Sequence, residues 1–120
     1  MPTNEELLRV RLVNGFPILF HVTNRTPGEQ ILRSGFMDGR KTDGTGRFFR
    51  GVWLSNRAMW FPGIRTREAM TFAVQFHVSL DDLEDYEAIE DEKPYREWII
   101  PAAYIRAHAE VKIADEEDQL

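Results

Sequence analysis

Residues 69–79 read Ala-Met-Thr-Phe-Ala-Val-Gln-Phe-His-Val-Ser, and their large apolar side chains recur at every second position. Successive side chains of a strand point to opposite faces of the sheet, so residues two apart share a face. The shared apolar face here carries Phe72, Val74, Phe76 and Val78. This pattern predicts a strand that is buried on one face.

Further strands are expected on both sides of this one. The segments 16–23, 51–55, 95–100 and 109–113 are apolar or alternate apolar with charged residues, and glycine or proline stands in or beside each of the first three. A helix is predicted after Thr26, with Thr26 as its cap, Pro27 at its first position and Gly35 at its end. Neighbouring strands with short connections favour an antiparallel or mixed sheet over a doubly wound one. The predicted class is therefore α+β, with two or three short helices.

The 120 residues suffice for one domain, covering 1–120, and contain no cysteine. We expect an N-terminal helix within 1–14, because Thr3 and Glu6 have the spacing of a capping box. Residues 114–120 form a charged tail. No apolar run has the length of a membrane span, and the acidic N-terminus has no apolar signal core, which indicates a cytoplasmic protein without membrane partners.

Charge is distributed unevenly along the chain, although the net charge is only −5. Residues 40–67 hold seven basic residues and one acid, whereas 81–97 hold nine acids and two bases. Five of the eight glycines fall between 35 and 51, which predicts a long irregular loop over 37–51. A basic, glycine-rich loop beside aromatic residues suits a ligand with phosphates and flat rings. A solvated basic surface that balances the acidic one explains the same pattern equally well.

Several kinds of site are disfavoured by spacing. The three histidines, His21, His77 and His108, are too far apart in sequence to form a typical metal-binding pair, so no metal is expected. Gly44-Thr45-Gly46 has neither the further glycine nor the lysine of a phosphate-binding loop.

Three strand-like segments each place one polar or aromatic residue among apolar ones. The first is Leu19-Phe20-His21-Val22-Thr23, and the second is Gly51-Val52-Trp53-Leu54-Ser55. The third is Tyr95-Arg96-Glu97-Trp98-Ile99-Ile100-Pro101. Together, in this order, they resemble the ADP-ribosyltransferase superfamily, and within it the His-Tyr-Glu group that includes diphtheria toxin and the poly(ADP-ribose) polymerases. The departures are Trp53 where Tyr is usual and Val22 where the polymerases have Gly.

The resemblance implies a split β-sandwich of two small, mostly antiparallel sheets, with NAD as co-substrate in the cleft between them. Glu97, His21 and Trp53 would be the catalytic residues. Glu97 would stabilise the positive charge that develops as the nicotinamide–ribose bond breaks. His21 would hold a ribose hydroxyl, and Trp53 would stack on nicotinamide.

The remaining NAD-binding candidates lie around these three residues. Val22 and Thr23 follow His21, with Val22 offering its backbone N–H and C=O to nicotinamide, and Ser55 would meet the carboxamide. Trp60 or Phe61 would add to the stacking surface. The candidates for the diphosphate are Arg47, Arg50 and Arg57.

The implied activity is transfer of ADP-ribose from NAD to an acceptor that the sequence does not identify. Within the same fold, the alternatives are an NAD glycohydrolase and an NAD-dependent RNA 2′-phosphotransferase. A non-enzymatic alternative is a nucleotide- or nucleic-acid-binding module that uses the 40–67 segment.

Overall fold

The computed structural model describes residues 3–42, 48–58, 69–88 and 94–114. These residues form an α+β fold with eight strands, all paired antiparallel, and a few short helices. The strands are β1 (Arg11–Val13), β2 (Phe16–Thr23), β3 (Gly39–Thr42), β4 (Phe48–Ser55), β5 (Met70–Phe76), β6 (Glu87–Ala88), β7 (Glu97–Ile100) and β8 (Ala109–Ile113). The helices are α1 (Asn4–Leu7), α2 (Arg25–Ser34), α3 (Ala102–His108) and a 3-10 helix, Leu80–Tyr86. No helix in these described ranges has both the length and the apolar content needed to cross a membrane.

The strand order is β6-β7-β4-β2-β5-β8, with β1 added to β2 and β3 added to β4. The pairing is uneven along this path. β2 pairs with β5 at six positions and β4 pairs with β7 at four, but β2 and β4 pair only at Phe20–Ser55. The sheet therefore consists of two strand groups, β6–β7–β4 and β2–β5–β8, that meet at a single backbone pair.

One large apolar core underlies both strand groups, and a smaller buried cluster is separate from it, formed by Ile18, Phe20, Ala73 and Ala114. From β2–β5–β8 the large core receives Leu19, Phe72, Val74 and Phe76, and from β6–β7–β4 it receives Val52, Leu54, Trp98 and Ile100. The core also contains Phe36 from the segment after α2, Leu83 from the 3-10 helix and Ile105 from α3. The strand predicted over 69–79 forms as β5, with shorter bounds, and its predicted apolar face lies in this core, with Val78 packed at the margin. Burial on one face alone is wrong, because Thr71 and Ala73 on the opposite face are buried as well.

The predicted helix over 1–14 is wrong beyond its first turn. The Thr3–Glu6 capping box is present, with Glu6 N donating to Thr3 Oγ1 over 3.1 Å, but α1 ends at Leu7. Residues Arg11–Val13 instead form an exposed edge strand on β2, joined to it by a turn at Asn14 and Gly15 with positive φ. The hairpin wins because the Asn14-Gly15 turn favours pairing of the two flanking segments.

Two further expectations need correction. Helix α2 begins at Arg25 with Asn24 as its N-cap, so Thr26 is not the cap and Pro27 lies in the third helical position; its end at Gly35, with φ of 79°, is as predicted. The loop predicted over 37–51 is partly a ladder, because β3 pairs with the first half of β4. Residues 43–47 and the tail 115–120 lie outside the described residues.

We predict that Gly51→Ala destabilises the fold and that Gly39→Ala does not. The two glycines are partners in the β3–β4 ladder. A Cβ at Gly51 would lie 2.8 Å from Ile99 Cγ2 and 3.1 Å from the Ile100 carbonyl, whereas one at Gly39 would meet only Gly51 O, at 3.4 Å. Overpacking of this kind costs about 1–3 kcal/mol in the free energy of unfolding. Urea titration measures the free energy of unfolding of each variant. If both variants lost the same amount, the close approach of β4 to β7 at Gly51 would be contradicted.

Candidate functional site

A cleft of about 380 Å³ opens where the two strand groups diverge. One wall comes from β2 and α2, and the other comes from β4 and the first residue of β7. Its described lining comprises His21, Val22, Thr23, Pro27, Gln30, Ile31, Gly35, Phe36, Met37, Gly39, Gly51, Val52, Trp53 and Glu97. The cleft thus contains His21, Trp53 and Glu97, which come from three strands that are distant in sequence.

His21 bridges the gap between the strand groups with its side chain. His21 follows Phe20, which pairs with Ser55 of β4. The Nδ1 atom of His21 lies 2.8 Å from the backbone oxygen of Trp53. Since a carbonyl oxygen only accepts, this bond places a proton on Nδ1. The ring also packs edge-on against Phe36, with centroids 5.2 Å apart. The imidazole is therefore held on both sides at the cleft wall.

Glu97 places a carboxylate in a buried part of the same cleft. It is the first residue of β7, pairs with Ser55 of β4 and Ala88 of β6, and is only 5% exposed. Glu97 also belongs to the lining of the cleft, so a ligand there would meet an acidic residue at this wall.

Trp53 lies on the same side of the sheet as Glu97. It pairs with Ile99, two residues beyond Glu97, so Trp53 and Glu97 are diagonal neighbours on one face. The indole is half-buried, so part of its surface is available to the cleft. A flat ring beside a carboxylate suits a ligand with an aromatic, cationic group.

Asn56 fixes the backbone next to Glu97. Its Nδ2 donates to the backbone oxygens of Leu7 and Arg9 over 2.8 and 2.9 Å, and its Oδ1 accepts from Arg96 N over 2.7 Å. Asn56 N also donates to Arg96 O over 3.1 Å. The side chain, 3% exposed, thus ties the segment after α1 to the residue that precedes the cleft carboxylate.

Arg96 itself faces the other way. Its guanidinium makes a two-pronged bond to Glu87, at 2.9 and 2.7 Å, and lies over the Trp98 ring. The hydrogen bond that Arg96 donates to Glu87 raises the pKa of Arg96 above its ordinary value. The charge of Arg96 is therefore committed to the β6–β7 pair, and Arg96 does not line the cleft.

The other predicted binding residues fall into three sets. Val22 and Thr23 line the cleft with His21. Three predicted binding residues do not line the cleft: Ser55, Arg57 and Arg50. Ser55 Oγ donates to Arg57 O over 2.6 Å, and the Arg57 guanidinium donates to Pro94 O over 2.7 Å. Arg50 is exposed on β4. Arg47, Trp60 and Phe61 lie outside the described residues. The described lining therefore contains no arginine or lysine for a diphosphate.

Sequence reasoning did not identify the residues that α2 and the segment after it contribute. Pro27, Gln30 and Ile31 lie along one side of α2, and Met37 follows it, 67% exposed at the cleft. The i, i+3, i+4 spacing of the helix residues was the available signal, but the same spacing is typical of an ordinary core-facing helix. Within the described ranges, no three His, Asp or Glu side chains cluster as metal ligands would.

Comparison of the chain with models of known protein families, with curated proteins and with solved structures gave no match.

Replacing Asn56 by Ala is expected to lower the free energy of unfolding by about 2–4 kcal/mol, because it leaves the backbone carbonyls of Leu7 and Arg9 and the Arg96 N–H without their side-chain partner. Chemical denaturation followed by circular dichroism measures the change. The control is Gln30→Ala, which removes an exposed amide that lies 3.8 Å from Met37 Sδ. If Asn56→Ala lowered the free energy of unfolding no more than the control does, the hydrogen bonds of the Asn56 side chain would contribute nothing to stability.

Proposed function

We propose that this chain is an NAD-dependent ADP-ribosyltransferase that binds NAD in the cleft and breaks its nicotinamide–ribose bond. The observation that carries the proposal is the meeting of His21, Trp53 and Glu97 in one cleft. These are the residues on which the resemblance to the His-Tyr-Glu transferases depends. Their convergence supports that resemblance, because nothing in their sequence spacing requires three separate strands to face one cavity.

The shape of the sheet supports the same proposal. The resemblance implies two small sheets with NAD between them, and the cleft opens where the two strand groups part. Its volume lies within the range of small-ligand sites. The described lining provides a stacking ring and a carboxylate, which fit the nicotinamide–ribose half of NAD. It provides no cation for the diphosphate, so that half of the ligand is less well matched.

The proposed role of Glu97 follows from its burial. Breaking the nicotinamide–ribose bond develops positive charge on the ribose, as in glycoside hydrolysis. A carboxylate that is fixed in a poorly hydrated wall stabilises that charge without having to reorganise. The same carboxylate is a candidate base for the acceptor. Trp53 would stack on the nicotinamide ring. His21 would hold a ribose hydroxyl through Nε2, since its Nδ1 bonds to Trp53 O.

We expect Glu97→Gln to reduce nicotinamide release from NAD by at least about 100-fold, because the isosteric amide keeps the shape of the wall but removes its charge. The measurement is nicotinamide formed per unit time by the purified chain. Glu84→Gln is the matched control, since Glu84 is exposed on the 3-10 helix, away from the cleft. Equal rates in the wild type and Glu97→Gln, with both folded, would end the catalytic assignment.

The aromatic ring at position 53 is testable by binding alone. In a Glu97→Gln background, which prevents turnover, Trp53→Ala should weaken NAD binding by roughly 10-fold or more, because stacking on an aromatic side chain contributes about 1–3 kcal/mol. Trp53→Tyr should retain most of the affinity, since it keeps a ring of the type usual in the family. Calorimetric titration measures both. An unchanged affinity in Trp53→Ala would remove Trp53 from the NAD site.

The same preparation separates the related activities. Nicotinamide release without added acceptor indicates a glycohydrolase, and release that requires an acceptor indicates a transferase. A 2′-phosphorylated oligonucleotide tests the RNA 2′-phosphotransferase alternative. Salt-sensitive binding of single-stranded nucleic acid without any NAD turnover would instead support the binding-module alternative.

A further inference from the structure

β8 ends the strand order, and no described strand pairs with its outer side. It also carries exposed apolar side chains: Val111 is 40% exposed and Ile113 is 52% exposed. An edge with open N–H and C=O groups and apolar side chains is a template for pairing with another strand. The opposite end of the order, β6, has only two residues, so β8 is the longer terminal edge.

The hydrogen bonds to β5 reveal which backbone groups of β8 point outward. Ala114 N donates to Thr71 O over 2.8 Å, and His77 N donates to His108 O over 2.8 Å. Residues 108 and 114 therefore direct their polar groups inward, towards β5. Because the direction alternates along an antiparallel strand, Ala109, Val111 and Ile113 direct their N–H and C=O groups to the open edge.

This edge is complementary to itself. If two copies of β8 run antiparallel about a two-fold axis at Val111, Val111 faces Val111 of the second copy and Ala109 faces its Ile113. Each of these facing pairs can exchange two N–H···O bonds, because all three residues point outward. The apolar side chains of all three would then adjoin on one face of the continued sheet.

The charges fit the same register. Glu110 and Lys112 are the two charged residues of β8, one on each side of Val111. In the two-fold arrangement each Glu110 faces Lys112 of the other copy, so the dimer contains two such pairs. These are the non-hydrogen-bonded positions, where facing side chains approach most closely. The contact that Glu110 makes within the chain, 3.9 Å to exposed His77, is a weak competitor.

We propose that two copies of this chain associate through antiparallel pairing of their β8 strands, with Glu110 of each facing Lys112 of the other. The resulting interface is isologous, as two-fold dimers require. It continues one antiparallel sheet through both copies. The proposal is independent of NAD chemistry, because β8 contributes no residue to the described lining of the candidate cleft.

A charge swap tests the register directly. E110K and K112E each place like charges opposite one another in a homodimer, and each should weaken dimerisation by roughly 10-fold or more in sedimentation equilibrium at low salt. The double variant E110K/K112E restores opposite charges and should recover the wild-type dissociation constant. An equimolar mixture of the two single variants should also dimerise, because every facing pair in the mixed dimer is then of opposite sign.

Thermal unfolding at low concentration checks that all variants fold; both positions are exposed, so little change is expected. A wild-type chain that stays monomeric into the millimolar range overturns the proposal and leaves the edge for a different partner. A dimer whose affinity is the same in E110K, K112E and the wild type also overturns it, because the contact would then lie elsewhere. Recovery in both the double variant and the mixture supports it.

Discussion

The hydrogen bond from His21 to the backbone oxygen of Trp53 marks the position at which the sheet stops being continuous. The preceding residue, Phe20, makes the one backbone pair that joins β2 to β4. Beyond it, a side chain rather than a ladder connects the two strands. The gap that results is the cleft, and the positions of Trp53 and Glu97 on its wall depend on β4 leaving β2 at this point.

Opening a sheet in this way has a cost that other contacts must offset. Separated strands leave backbone groups without ladder partners, and the opening brings a nearly buried carboxylate to the wall. The structure anchors both sides of the opening. Asn56 holds the backbone beside Glu97 and ties it to the segment after α1. On the other side, the Asp38 carboxylate accepts from Ala102 N over 2.7 Å and links the end of the α2 segment to the start of α3.

The sequence predicted the strands better than the ends of the helices. The strands over 16–23 and 109–113 have the predicted bounds, and in the first a long apolar run follows the Asn14-Gly15 turn. The conformation of residues 8–13 could not be predicted in this way. Leu8 and Leu12 fit a helical face, but pairing with β2 overrides that preference. The convergence of His21, Trp53 and Glu97 was an expectation from resemblance, whereas the bonds of Asn56 depend on segments about 40 and 47–49 residues away and leave no local pattern.

The continuous core has a consequence for how the cleft keeps its dimensions. With one backbone pair at the junction, hydrogen bonding between β2 and β4 does little to set the spacing of the two walls. The spacing depends instead on the core that both strand groups share. Its volume includes the buried side chains of Leu19, Leu54, Phe72 and Trp98. Interiors packed this densely transmit small changes in volume. The aperture of the cleft is thus encoded in side chains that no ligand touches.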